Sequence, residues 1–175
     1  QLGNKGWSWN DVLPYFIKSE NQERGKSEHH GINGPLSVSD QRIKLDILDS
    51  FMNAAEEVGI PKTNDFNKGN NFGCGYFQVT ERNGLRCSAA VGYLNPVKKD
   101  KNLKIETHCH VQKINFENKK AVSVTYYKGN NSFTVKANKE IILSAGSIGS
   151  PQILQTSGIG DSQKLKNLGI NTIHE

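Results

Sequence analysis

The sequence has few long apolar runs, few arginines and one methionine. Its densest apolar run, Ile141–Leu143, is three residues long, far below the roughly 18 to 20 that cross a bilayer, so no transmembrane helix is predicted. Of the 22 basic residues four are arginine, and the lysines are scattered, so the net charge of +5 does not predict nucleic-acid binding. Because the chain begins with Gln1 and its methionine is Met52, we expect the natural start, with any signal peptide, to lie upstream.

Cysteine is also scarce, and its spacing matches neither a zinc site nor a disulfide framework. The three cysteines are odd in number and far apart in the sequence: Cys74, Cys87 and Cys109. We interpret these residues as free thiols in a reducing compartment, which favours a cytoplasmic location. His108 and His110 would share one face of a strand, and we interpret that face as solvated, so no metal site is predicted.

The composition is that of a folded chain, with 35% hydrophobic and 22% charged residues. Ser8 and Asp11 form a capping-box pattern that predicts a short helix, which Pro14 should kink or restart. A second, amphipathic helix is predicted from apolar residues three and four apart, with Gly59 and Pro61 as its stop signal. Those apolar residues are Leu45, Leu48, Phe51, Met52, Ala55 and Val58.

Residues 64–75 are rich in glycine and asparagine, which indicates either a flexible loop or a backbone that closely approaches a ligand. Tyr76, Gln78 and Thr80 then alternate, as residues on one face of a strand do. We expect this polar face to look toward solvent.

Residues 101–150 are predicted to be almost entirely strand. The less polar positions are odd from Leu103 to Val111 and even from Ile114, and this switch of face predicts a bulge or bend. Turns are predicted at Glu117–Lys120 and Gly129–Asn131, with alternating strands between and after them. The pattern predicts an antiparallel meander.

A strand, a glycine turn and a helix start follow in order. Ile141–Leu143 predicts a strand buried on both faces, and Ser150 and Pro151 predict the N-cap and first residue of a helix. The small residues of the turn, such as Gly146, would let the backbone touch a nucleotide, or serve tight connection alone. No Gly-x-Gly-x-x-Gly fingerprint or phosphate loop is present.

The fifteen residues from Gly146 to Gly160 resemble the second signature of the glucose-methanol-choline (GMC) family of flavin oxidoreductases. The chain is most similar to that family's branch of bacterial choline dehydrogenases and acceptor-linked alcohol dehydrogenases. The resemblance covers essentially the whole chain, since further motifs stand upstream in the family's order. They are Gly6-Trp7-Ser8-Trp9, Leu13-Pro14-Tyr15-Phe16, Gly34-Pro35-Leu36, Gly59-Ile60-Pro61, Asp65-Phe66-Asn67, Gly84-x-Arg86-x-Ser88-Ala89-Ala90 and Asn102-Leu103.

The resemblance implies a mixed α/β and α+β fold: part of a glutathione-reductase-like FAD/NAD(P)-binding domain with a β-meander, and part of an antiparallel-sheet substrate domain. Residues 1–100 would be mainly substrate domain and connecting segments, 101–160 part of the FAD-binding domain, and 161–175 the start of a return to the substrate domain. The resemblance also offers the substrate cavity as an alternative to solvent for the face of Tyr76, Gln78 and Thr80, although we favour solvent. FAD is the implied cofactor. The backbone at Val111 would meet its adenine and the turn at Ala145 and Gly146 its ribose, with Ser150 completing the candidate binding set.

The implied activity is oxidation of choline or another primary alcohol, with hydride transfer to flavin N5. The family's catalytic histidine and its glycine fingerprint lie outside the matched motifs, so no residue here is predicted to be catalytic. A hydroxynitrile lyase on the same scaffold and a non-catalytic binding module are the alternatives. The electron acceptor (quinone, oxygen or another), the oligomeric state and association with the inner membrane stay open.

Two positions depart from the family pattern. Lys68 stands where glycine usually follows Asp-x-Asn, and Asp161 where proline usually follows Ser-Gly-Ile-Gly. The first is expected to alter a loop near the cofactor, and the second to relax a turn.

Overall fold

The computed structural model describes residues 3–175. They form two compact units, one ending at Leu103 and the other running from Lys104 to Glu175. Within the described residues, no helix combines the length and the apolar content needed to cross a membrane. The elements are α1 (Trp9–Ser19), β1 (Glu20–Gln22), β2 (Leu36–Val38), α2 (Asp46–Glu57), β3 (Glu81–Arg82), β4 (Leu85–Arg86), a π-helical turn (Ala90–Leu94), β5 (Cys109–Glu117), β6 (Lys120–Lys128), β7 (Asn131–Lys136), α3 (Gly146–Thr156) and α4 (Ser162–Asn167).

The first helix begins where the capping pattern predicts. The Asp11 carboxylate accepts hydrogen bonds from the Ser8 amide at 3.0 Å and the Ser8 hydroxyl at 2.7 Å, which satisfies a donor at the helix amino end. Helix α1 continues past Pro14 to Ser19, so that proline does not restart the helix.

Three helices end in the same way, in a glycine followed by isoleucine. In α2, the predicted amphipathic helix, the Gly59 amide donates to Glu56 and the Ile60 amide to Ala55. This pair of bonds is the Schellman motif, and Gly59 supplies the left-handed backbone it needs, with φ +88°. The same pair of bonds ends α3 and α4, where Gly158-Ile159 and Gly169-Ile170 occupy the two positions.

The rest of the first unit is held by short pairings. Strands β1 and β2 pair in parallel, and β3 and β4 form a hairpin. The glycines of residues 64–75 are explained by contact between two chain segments. A Cβ at Gly73 would lie 2.8 Å from the Pro61 carbonyl oxygen, and one at Gly75 would overlap the carbonyl oxygen of Thr63. Neither sequence interpretation describes Gly73 and Gly75, because the backbone there closely approaches another segment of the chain itself.

The second unit is built on the predicted antiparallel meander, β5-β6-β7. The predicted switch of face is a bulge at Gln112, because Val111 pairs with Tyr126 while Lys113 pairs with Thr125. The extra residue lets Val111 stay half-buried and puts Ile114 in the core at 7% exposure.

The structure corrects three local predictions. Strand β5 begins at Cys109, so residues 103–107 are not part of it. Ile141–Leu143 are not in a strand, because no described residue pairs with them, and Ile142 is 78% exposed. Helix α3 begins at Gly146 with Ala145 as N-cap, so Ser150 lies inside the helix and is not its cap.

Candidate functional site

A cavity of about 370 Å³ lies between β5 and α3 in the second unit. Its volume is within the usual range for small-molecule sites. Its strand wall is formed around the bulge, and its helix wall by one face of α3 and the residue before it. The lining residues are Cys109, His110, Val111, Gln112, Ala145, Gly149, Gln152, Ile153 and Thr156.

The turn into α3 shapes the second wall. Gly146 has φ +84°, a backbone conformation that L side chains rarely adopt, and a Cβ there would meet no atom within 4 Å. The glycine is therefore required by the turn itself. The Ser150 hydroxyl accepts a hydrogen bond from the Ala145 amide at 3.0 Å. This bond closes the turn from inside the helix and holds Ala145 at the cavity wall.

The structure brings two of the four predicted cofactor residues to one cavity. Val111 and Ala145 line it, while Gly146 and Ser150 shape the adjoining turn. The prediction missed the helix face that includes Gln152, Ile153 and Thr156. A signal for that face was present, because residues 149, 152, 153 and 156 are spaced by three, one and three, which places them on one side of a helix.

The first unit contains a polar cluster around His30, whose exposure is 7%. The ring Nδ1 lies 3.0 Å from a Glu20 carboxylate oxygen, and Nε2 lies 2.9 Å from a carboxylate oxygen of Asp65. Both ring nitrogens of His30 thus lie within hydrogen-bond distance of a carboxylate oxygen. Through these contacts His30 ties β1 to the loop that follows Thr63.

The Asp65 side chain is also largely buried, with 15% of its surface exposed. Burial by itself raises the pKa of Asp65, but the hydrogen bonds from the Asn67 amide and from His30 outweigh it and hold the pKa below its usual value. No group of three or more histidine, cysteine, aspartate or glutamate residues is arranged to hold a metal ion across residues 3–175.

Gln78 belongs to the same polar region, contrary to the solvent-facing strand predicted for Tyr76, Gln78 and Thr80; of the three, Thr80 is exposed as expected. No strand forms there. The Gln78 side chain donates to Gln22 at 3.0 Å and to Asp40 at 3.1 Å. The Tyr76 hydroxyl donates to Asp49 of α2 at 2.8 Å. These side chains hold loops together.

The two residues that depart from the family pattern, Asp161 and Lys68, both make local hydrogen bonds. Asp161 is the N-cap of α4 and accepts a hydrogen bond from the Lys164 amide at 2.9 Å, so it caps a helix where a relaxed turn was expected. The Lys68 ammonium donates to the Asn64 side chain at 3.2 Å.

A model of the GMC oxidoreductase family matches residues 1–174. Among curated proteins, the chain is 40% identical to the oxygen-dependent choline dehydrogenase of Pectobacterium atrosepticum, over 99% of this chain and 31% of that protein. It is also 40% identical to the human mitochondrial choline dehydrogenase, over 98% of this chain and 29% of that one. Among solved structures, an FAD-dependent oxidoreductase from Chaetomium thermophilum matches with a TM-score of 0.89 and 35% identity, over 99% of this chain and 32% of that one. The chain thus spans about a third of the length of these relatives.

Proposed function

The chain belongs to the GMC oxidoreductase family, and we propose that it supplies part of the FAD-binding machinery of an FAD-dependent alcohol dehydrogenase. The resemblance seen in the sequence motifs is confirmed by the family match, and so is the mixed fold. The observation that carries the proposal is the cavity between β5 and α3, whose walls include Val111 and Ala145.

The residues present fit the adenosine end of FAD. The cavity wall includes Ala145, the N-cap of α3. The first backbone amides of a helix have no partner within it and favour polar, electron-rich groups. The wall carries glycine at Gly149, where a Cβ would already crowd Ala145 at 3.2 Å. In the proposal, the backbone at Val111 contacts the adenine, and the Ala145-Gly146 turn contacts the ribose.

Bound FAD supplies the hydride acceptor, flavin N5. The described residues bind and orient the cofactor in this proposal. None of them is assigned as the base that removes the substrate hydroxyl proton, since His30 is engaged by Glu20 and Asp65, and the other four histidines of the chain are outside the family's catalytic motif.

The proposed substrate is choline or another primary alcohol, supported by the names of the relatives. The proposed location is a reducing, cytoplasmic compartment, supported by the free thiols of Cys74, Cys87 and Cys109.

Anaerobic titration of the full-length flavoprotein tests the activity. We expect choline or a related alcohol to bleach the flavin absorbance near its long-wavelength maximum, because two electrons and a proton pass from the alcohol carbon to the flavin as hydride. A flavoprotein that no alcohol bleaches, and that releases cyanide from a cyanohydrin, would be a lyase and would contradict the proposal. A full-length protein that binds no flavin would contradict the cofactor assignment as well.

A further inference from the structure

Two backbone groups of β5 are hydrogen-bonded to side chains of the α3 segment. The Thr156 hydroxyl donates to the Gln112 carbonyl oxygen at 2.8 Å. The Ser157 hydroxyl accepts from the Ile114 amide at 2.8 Å and donates to the Ile153 carbonyl oxygen. The hydroxyls of two neighbouring residues are thus hydrogen-bonded to β5 on either side of Lys113.

The two hydrogen bonds lie at and next to the bulged residue, Gln112. A bulged residue leaves its ladder, so its backbone groups need other partners, and an unsatisfied buried group costs free energy. In the described residues β5 pairs with β6 alone, which leaves its second edge open. Thr156 and Ser157 cover that edge at Gln112 and Ile114.

The bond between Thr156 and Gln112 also lies at the candidate cofactor cavity. Gln112 and Val111 line its strand wall, and Thr156 lines its helix wall. A bond between Gln112 and Thr156 therefore joins the two walls directly. Ser157 and Ile114 are each 7% exposed, so the second bond anchors the bulge to the core behind the cavity.

We propose that Thr156 and Ser157 are positioning residues that hold the bulged segment of β5 against the adenosine end of FAD and so set the protein's preference for FAD over FMN. The inference rests on the proposed function, because it takes the cavity to be the adenosine site. FMN lacks the adenosine end, so it does not need this cavity. A purely structural role for the two hydroxyls would affect both flavins alike.

The test measures dissociation constants of FAD and FMN for the full-length apoprotein, by quenching of flavin fluorescence. Thr156→Val removes the bond to Gln112 at an exposed site, and Thr156→Ser keeps the hydroxyl. We expect Thr156→Val to weaken FAD binding about three- to tenfold, the effect of one lost hydrogen bond, and to leave FMN binding within about twofold. Thr156→Ser should restore FAD binding. Thr134→Val, which removes a hydroxyl from β7, is the matched control and should change neither constant.

Ser157→Ala leaves the buried Ile114 amide without its partner and is expected to have the larger effect, but it also carries the larger risk of misfolding. The exposed Thr156 variants keep the proposal testable in that case. Equal weakening of FAD and FMN, no effect of Thr156→Val, or failure of Thr156→Ser to restore binding would each overturn the inference. A wild-type protein that binds FAD no better than FMN would instead overturn the adenosine site of the proposed function.

Discussion

Glu106 is held between two lysine side chains in the second unit. Its carboxylate lies 2.7 Å from the Lys128 ammonium and 2.9 Å from that of Lys104. The hydrogen bond from Lys128, then that from Lys104 and the charges of both, lower the pKa of Glu106 to about 2. Because the folded-state pKa is depressed, the stabilisation is present above the ordinary value of 4.5 and is lost as pH falls toward 2.

Removal of one lysine ammonium should raise the pKa of Glu106. We expect Lys128→Met to raise the Glu106 pKa toward 4.5 and Lys104→Met to raise it less, because the Lys128 hydrogen bond is the larger cause. The measurement is a pH titration of the Glu106 side-chain carboxyl by carbon-13 NMR. High salt should move the wild-type pKa in the same direction, since exposed pairs are screened. An unchanged pKa in Lys128→Met would show that the pair does not form in solution.

At the scale of elements, two of the hairpins with two-residue turns differ in turn chemistry. The β3–β4 turn is Asn83-Gly84 and the β5–β6 turn is Asn118-Lys119, and all four residues have positive φ. That is the pattern of a type I′ turn, in which glycine is preferred at the second position. Lys119, at φ +65°, adopts a left-handed conformation that disfavours a side chain with a Cβ.

Lys119→Gly should therefore stabilise the meander, by about 0.5 to 1 kcal/mol after allowance for the greater flexibility of glycine in the unfolded chain. The expected result is a higher midpoint of thermal unfolding, or slower amide exchange in β5 and β6, in the full-length protein. Lys120→Gly is the control, because Lys120 opens β6 and glycine weakens strand interiors. Equal destabilisation by both changes would contradict the strain at Lys119.

The sequence predicted those helices and strands whose signals lie within the element itself or in its turns. Helix α2, the meander and the bulge at Gln112 follow from apolar spacing and turn residues, and all appear in the structure. The strand predicted at Ile141–Leu143 does not, because a strand exists only with a partner, and apolar composition does not supply one.

The candidate site, like the fold, was predicted in part from the sequence. Family motifs pointed to Val111 and Ala145, which line one cavity. The hydroxyls of Thr156 and Ser157 act on Gln112 and Ile114 across more than 40 residues of chain, and no periodicity encodes such a pairing. The contacts of His30 with Glu20 and Asp65 were not predicted either, because no periodicity in the sequence encodes them.

At the scale of the whole molecule, the described chain buries little apolar surface. The buried hydrophobic residues among those described are Cys87, Ile114 and Leu165. Trp7, Ile142 and Ile148 are 78%, 78% and 83% exposed. The total accessible surface is 13921 Å², whereas two separate compact globules of the sizes of the two units would expose about 10,000 Å². The excess is surface that a stable protein of this size normally covers.

Residues 1–175 expressed alone should therefore behave poorly. The open edge of β7 and the exposed apolar side chains of α1 and α2 favour self-association. We expect oligomers or aggregates in size-exclusion chromatography, strong binding of a hydrophobic dye and a broad unfolding transition without a sharp midpoint. The full-length protein is the control and should unfold cooperatively with little dye binding. A monomeric 175-residue chain with a sharp, cooperative transition would show that the exposed apolar surface is tolerated, and would contradict the prediction that this piece needs the rest of its family's fold to be stable.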